Sequence, residues 1–238
     1  MSNKYVFNRY ELKFKLTISQ FNAIEELIKQ HMIPDEHGQS TIQSLYYDTN
    51  SYLLIRNSLE KPIYKEKIRL RSYGLAKENQ NVFLELKKKY QEVVFKRRIS
   101  LPLNKVDDFF NLDDNTYFQS QIGKEIIYFK NFYKTLHPTI LLLYDRTAFY
   151  QKNSDLRITF DQNIRYRTEK LSLSESLKGI PLLDEPIVLM EIKTSYAFPL
   201  WLTKYLSFHH IYKQSFSKYG EAYKKINNLV REKVYVVS

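Results

Sequence analysis

The sequence predicts an α+β domain built on a mostly antiparallel β-barrel with helices packed outside it. Three observations predict it. Short stretches alternate apolar and polar residues along most of the chain, which is the period of a pleated strand. Three of them, 64–73, 82–90 and 92–101, follow one another closely, as the strands of a meander do. Helical patterns with a single apolar stripe interrupt the strands, and such stripes need a sheet face to cover.

The elements follow in order. Residues 5–16 (YVFNRYELKFKL) form a strand with Tyr10, Leu12, Phe14 and Leu16 on one face. Residues 19–31 form a helix, with Phe21, Ile24, Leu27 and Ile28 at helical spacing and Ser19 as its N-cap. A strand at 42–48 and a short helix at 50–59 precede the meander. Helices at 104–111 and 119–135 follow it. Strands are expected at 139–150, 155–162 and 186–195, with a short one at 164–168, and residues 169–185 read as a loop. A helix at 199–209 opens on Pro199, a residue suited to a first turn. The last helix, 218–231, takes Ser217 as its cap. No break in composition and no repeat divides the chain, so residues 1–238 read as one domain.

Composition restricts the chemistry. The chain has 238 residues, 43% of them hydrophobic, with 20 Tyr, 15 Phe and no Cys. The absence of Cys excludes disulfides, thiolate catalysis and cysteine-ligated metals. The five histidines (31, 37, 137, 209 and 210) make no metal-like pair. The N-terminal segment lacks the apolar core of a signal peptide, and no apolar run approaches the ~20 residues that span a bilayer. The expectation is a soluble, cytoplasmic chain. Lys plus Arg is 37 against 26 Asp plus Glu, a net charge of +11, which calls for an anionic partner.

The positions of the charges say more than their sum. In KIRLRSYG (67–74), Lys67, Arg69 and Arg71 share one strand face, and Ile68 and Leu70 take the other. Treating every strand in this way puts Lys13, Lys15, Arg69, Arg71, Lys87, Lys96, Arg98, Arg146, Arg157 and Lys193 on polar faces. Only the carboxylates of Glu11, Glu85, Asp161 and Glu191 join them. A sheet with one solvated face alternates in the same way. The apolar helix stripes, however, must cover the apolar sheet faces from outside, which turns the charged faces inward. A barrel so lined cannot be dry and empty, because unpaired buried charge is very costly. It must hold water and a polyanion. Guanidinium forks match phosphate oxygens, and the carboxylates suit a hard divalent ion such as Mg²⁺ or Mn²⁺.

The order of motifs resembles that of the triphosphate tunnel metalloenzymes, a CYTH-like architecture. More closely, it resembles the VTC domain, the polyphosphate polymerase branch of that superfamily. The matching pieces are RYELKF (9–14), SLYYD (44–48), KIRLRSYG (67–74), VFLELKK (82–88), VFKRR (94–98), YDRTAF (144–149), LRITFD (156–161), VLMEIK (188–193) and FSKY (216–219). Each is weak alone; their order over residues 8–224 is the specific signal. The resemblance implies that Lys13, Arg69, Arg71, Lys87, Lys96, Arg146, Arg157 and Lys218 bind phosphate, with Tyr144 nearby. Of these, Lys13, Arg69, Arg71, Lys87, Arg146 and Arg157 would carry the transfer. It implies that the antiparallel barrel forms a basic tunnel, and that Glu191 holds the metal. Glu11 stands where the wider superfamily has a metal-binding glutamate in an ExExK motif. Here the motif reads Arg9-x-Glu11-x-Lys13, with one of the two glutamates absent, which suits the VTC branch better than a simple triphosphatase. Lys193 joins the phosphate ligands from its facing alone. Alternation selects Lys96 over Arg97.

The implied activity is metal-dependent transfer of the terminal phosphate of a nucleoside triphosphate, ATP, to a growing polyphosphate. Two alternatives stay open: a triphosphatase of the same fold, with water as acceptor, and a non-catalytic polyphosphate sensor. A nucleic-acid ligand is not expected, because few aromatic residues interleave with the basic faces. Family analogy allows a membrane-protein partner.

Overall fold

A computed structural model describes residues 10–36, 38–91, 93–112 and 115–236, with side chains described up to residue 228. Residues 5–9 of the first expected strand, including Arg9 of its motif, lie outside them, as do His37 and Glu92 of the expected third meander strand. The strands are β1 (Tyr10–Leu16), β2 (Ile33–Pro34), β3 (Ser40–Asp48), β4 (Tyr64–Tyr73), β5 (Asn81–Tyr90), β6 (Val93–Pro102), β7 (His137–Tyr150), β8 (Arg157–Arg167), β9 (Ile180–Pro181) and β10 (Val188–Thr194). The α-helices are α1 (Ile18–His31), α2 (Leu53–Leu59), α3 (Val106–Asn111), α4 (Gln121–Tyr133), α5 (Leu200–Phe208) and α6 (Lys218–Val236). The sheet order is β1-β10-β8-β7-β3-β4-β5-β6, with β2 on β7 and β9 on β8. Every register described is antiparallel.

Two compact units divide the residues. One comprises the chain up to Thr41 with Tyr144–Ile164 and Leu183–Phe216; the other comprises Ile42–Leu143, Arg165–Leu182 and the chain from Ser217. Each is assembled from separated segments, so no change of composition along the sequence marks a boundary.

In the first unit the apolar faces of β1, β8 and β10 carry Phe14, Leu16, Ile158, Phe160, Val188, Met190 and Ile192. They are buried against Phe21, Ile24 and Ile28 of α1 and Leu202 and Leu206 of α5. The N-cap of α1 is Thr17 rather than the expected Ser19. Its hydroxyl accepts from the Gln20 amide while the Gln20 side chain accepts from the Thr17 amide, a capping box. Ser19 cannot compete, because Gln20 is the residue three positions after Thr17. Thr17→Ala is expected to cost about 1 kcal/mol of stability, read as a lower urea midpoint at unchanged slope. Strand β8 is continuous where the sequence suggested two pieces. Asn163 takes φ 48° inside it, a conformation asparagine tolerates, and its amide donates to Asp145 at 2.9 Å.

In the second unit β3–β6 present Leu45, Tyr47, Ile68, Leu70, Val82, Leu84, Leu86, Ile99 and Leu101 to one core. Leu54 of α2, Val106 and Phe109 of α3, and Ile126 and Phe129 of α4 cover it. Asp48, at the end of β3, fixes the start of α2. Its carboxylate accepts from the amides of Thr49, Leu54 and Ile55 at 2.8, 2.9 and 3.0 Å, and from the Tyr219 hydroxyl at 2.9 Å. Ser217 caps α6 as expected, accepting from the Gly220 amide at 3.2 Å. Helices α1 and α5 in the first unit, and α2, α3 and α4 in the second, thus cover apolar sheet faces, whereas the start of α6 meets the charged face, where Tyr219 stacks on Tyr46. Among the described residues, no helix is long and apolar enough to cross a membrane.

Candidate phosphate and metal sites

Strand register sorts the polar face of β3–β6 into rows. Lys67, Lys87 and Lys96 are neighbours across β4, β5 and β6. The next row is Tyr46, Arg69, Glu85 and Arg98, and the next Ser44, Arg71, Phe83 and Ser100. Successive rows lie about 7 Å apart, the spacing of alternate residues on a strand.

Glu85 is the hub of this face. Its side chain is 2% exposed, and four cations reach it. Arg69 Nε donates to Oε2 at 2.9 Å, and Lys96 Nζ lies 2.9 Å from Oε1. Arg98 Nε donates to Oε1 at 2.7 Å with Nη2 alongside, and Arg71 Nε lies 3.8 Å from Oε2. Burial acts to raise the Glu85 pKa. The surrounding Arg69, Arg71 and Lys96 outweigh it and hold the carboxyl far below the ordinary range. With Lys67 and Lys87, and with Lys65 and Lys89 in the row beyond, eight cations share this face of β4–β6 with one carboxylate, an excess that favours an anionic ligand. Arg97 sits on the opposite face, paired with Glu125 of α4 at 2.9 Å, so the strand alternation places Lys96, not Arg97, among these rows.

Tyr46 holds Arg69 from the other side. Its hydroxyl accepts from Arg69 Nη1 at 3.0 Å, and its ring stacks on Tyr219 at 4.1 Å. Lys67 reaches the start of α6, with Nζ 3.4 Å from Ser217 Oγ and 5.6 Å from the Tyr219 ring centre. Lys218, the first residue of α6, is half-buried. A first helical turn with its amides and adjacent lysines is suited to phosphate.

The first unit gathers a second set. Lys13 and Glu191 are register partners on β1 and β10, and Glu11 pairs with Lys193. Lys13 Nζ lies 3.3 Å from Glu11 and 3.7 Å from Glu191, and donates to the Phe216 carbonyl at 3.2 Å. Lys193 Nζ lies 3.3 Å from Glu191 and 3.7 Å from Glu11. Arg146 forks onto the fully buried Asp161 at 2.5 and 2.7 Å and stands 3.8 Å from Glu191. Its guanidinium lies 5.2 Å from the centre of the buried Tyr144 ring. Burial works against the Arg146 charge, but Tyr144 and Asp161 prevail and raise its pKa well above the usual value. Arg157 begins β8 and is half exposed; its guanidinium is engaged by Asp35 at 2.7 Å.

Among the described residues, no three His, Cys, Asp or Glu side chains converge as a metal cage. Glu11 and Glu191 share the same two lysines and offer oxygen ligands. That donor set fits an ion of the Mg²⁺ type, which takes one or two carboxylates and completes its shell with water and substrate phosphate. It does not fit an all-protein cage.

Three residues join these sets that the sequence did not single out as ligands: Tyr46, Lys67 and Arg98. The signal for Lys67 and Arg98 was the alternation that found Arg69; Tyr46 is placed by the register of β3 with β4. Asp161 was expected on the face, but not as the partner of Arg146.

The VTC domain family's model matches residues 8–227. No match was found among curated proteins. Among solved structures, a putative adenylate cyclase from Bacillus halodurans aligns with a TM-score of 0.54 and 12% identity, over 87% of this chain and 92% of its own. A putative adenylate cyclase from Vibrio parahaemolyticus aligns with a TM-score of 0.46 and 11% identity, over 90% of this chain and 97% of its own. At 12% identity the first alignment shows a shared fold.

Proposed function

We propose that this chain, which belongs to the VTC domain family, transfers the terminal phosphoryl group of ATP to a growing inorganic polyphosphate. The observation that carries the reading is the face of β4–β6, where eight cations lie in rows and one buried carboxylate, Glu85, meets four of them. An extended chain of phosphates supplies the missing negative charge at a regular spacing, which a single small anion does not.

In this reading Lys67, Arg69, Arg71, Lys87, Lys96 and Arg98 bind phosphate oxygens, and Lys218 takes a phosphate at the start of α6. Lys13, Arg146 and Lys193 hold the group in transfer, with Tyr144 fixing the Arg146 guanidinium and Arg157 supporting from the start of β8. Glu191 and Glu11 would hold a divalent ion, Mn²⁺ or Mg²⁺, which when bound neutralises charge on the phosphoryl oxygens. An oxygen of the terminal phosphate of the acceptor forms the new P–O bond to the γ-phosphorus of ATP. The bond from that phosphorus to its bridging oxygen breaks, and ADP leaves with the electron pair. The attacking oxygen is largely deprotonated near neutral pH, so the residues need only align and neutralise. ATP as donor places the reaction in the cytoplasm, and a membrane-protein partner would take up the product. Nucleic acid has no role in it.

Incubation with ATP and Mn²⁺ is expected to give long phosphate chains on a polyacrylamide gel, and Glu191→Gln to abolish them. Orthophosphate as the only product would instead assign a triphosphatase. Tight polyphosphate binding with no turnover of ATP would assign a sensor.

A further inference from the structure

We infer that Tyr73, Phe83 and Arg98 form the subsite that receives the base of the nucleotide donor, at the end of the phosphate-binding rows. The inference rests on the phosphate reading given above and adds the part of the ligand that is not phosphate.

Along β4 the polar face runs Lys67, Arg69, Arg71 and then Tyr73. At the last step an aromatic ring replaces the cation. Across the ladder from Arg71 stands Phe83, also aromatic. The Arg98 guanidinium lies over the Phe83 ring, 4.4 Å from its centre. Tyr73 meets Phe83 edge to face, with centres 6.0 Å apart and planes at 77°, and is itself 46% exposed. Arg98 thus touches both Glu85 in the phosphate rows and the aromatic corner beyond them.

A stacking platform must be held still, and this one is. The turn that follows Tyr73 passes through Gly74 at φ 71°, a conformation that L side chains rarely adopt. The Gly74 carbonyl accepts from the amide of Gln43 at 2.9 Å and from Ser72 Oγ at 3.0 Å. Gln43 is fully buried and also donates to the Leu173 carbonyl at 2.8 Å. The Ala76 amide donates to the same carbonyl at 3.1 Å.

Inorganic polyphosphate offers a ring nothing but charged oxygen. A nucleotide offers a planar base whose faces stack on an aromatic ring, and whose ring nitrogens and exocyclic groups can meet a guanidinium. An aromatic corner ending a cationic row therefore matches a nucleoside triphosphate whose phosphates run back along Arg71 and Arg69. Stacking tolerates any base, so the subsite favours nucleotides over inorganic triphosphate without selecting adenine strongly.

The test compares ATP with inorganic triphosphate, each with Mg²⁺, by isothermal titration calorimetry on the wild type, Tyr73→Leu and Tyr73→Trp. Tyr73→Leu is expected to weaken ATP binding about tenfold and triphosphate binding less than about twofold, and Tyr73→Trp to restore ATP. Equal losses for both ligands, or no loss for either, overturn the base subsite and leave the phosphate reading standing. A wild type that binds neither ligand overturns the phosphate reading, and this inference with it.

Discussion

Glu85→Gln is expected to lower the unfolding free energy by about 3–5 kcal/mol, the cost of removing one partner from a buried ion pair. The reason lies in what remains. Arg69, Arg71, Lys96 and Arg98 keep their charges around a neutral amide that can accept from at most one or two of them. Repulsion that the carboxylate had offset is then exposed in a buried setting. A polyanion should repair the loss by binding the same cations. At a hundredfold over its dissociation constant a ligand contributes about 2.7 kcal/mol. Inorganic triphosphate should therefore raise the melting temperature of the variant at least as much as that of the wild type. The pH profile carries a second signature. The folded-state pKa of Glu85 lies below its unfolded value of about 4.3. Its contribution is thus present above that value and is lost as pH falls towards the folded one. The gap between wild type and variant should be constant from about pH 8 to pH 5 and narrow below about pH 4. A variant that melts with the wild type at neutral pH would show that Glu85 is not the hub of this face.

Much of this face was legible in the sequence because it depends on a period of two. Strand β4 spans the predicted residues 64–73, and the alternation that set Lys67, Arg69 and Arg71 together also decided Lys96 over Arg97. The Ser217 cap was legible because a serine preceded a helical pattern. What the sequence hid has physical reasons too. Thr17 and Ser19 are both capping residues, and only the reciprocal bond with Gln20 distinguishes them. Asn163 falls between the two expected strand pieces, yet its side chain binds Asp145 and the strand continues through a left-handed residue. Asp35 lies in a connecting segment with no period, so its hold on Arg157 had no signal. Tyr46 sits beside Tyr47 in a run of aromatics. The register with β4, and not the pattern of β3, shows that Tyr46 faces Arg69 while Tyr47 enters the core. The two units draw on separated segments, an arrangement that local composition cannot report.

Arg69→Ala is expected to reduce kcat/KM for chain synthesis by about a hundredfold to a thousandfold while changing stability by less than about 1 kcal/mol. The separation of the two effects follows from the cluster. Arg69 is one of four cations on a single carboxylate, and its side chain is 23% exposed. Its removal leaves Glu85 with Lys96 at 2.9 Å, Arg71 at 3.8 Å and Arg98. The carboxylate stays paired, and one source of like-charge repulsion is gone. Function has no such reserve. Arg69 is gripped by Glu85 through Nε and Nη2 and by Tyr46 through Nη1, so its fork has one orientation relative to the rows. Arg69→Lys keeps the charge and loses that fork, and should recover binding more than turnover, because a point charge attracts phosphate without aligning it. Tyr46→Phe removes only the hydroxyl contact and should lower kcat at nearly unchanged KM. Steady-state synthesis from ATP and Mn²⁺, read beside thermal melts of the same preparations, checks all three variants. Full activity in Arg69→Ala would remove β4 from the site. A loss of activity that merely tracks a loss of folded protein would reduce Arg69 to a structural ion pair.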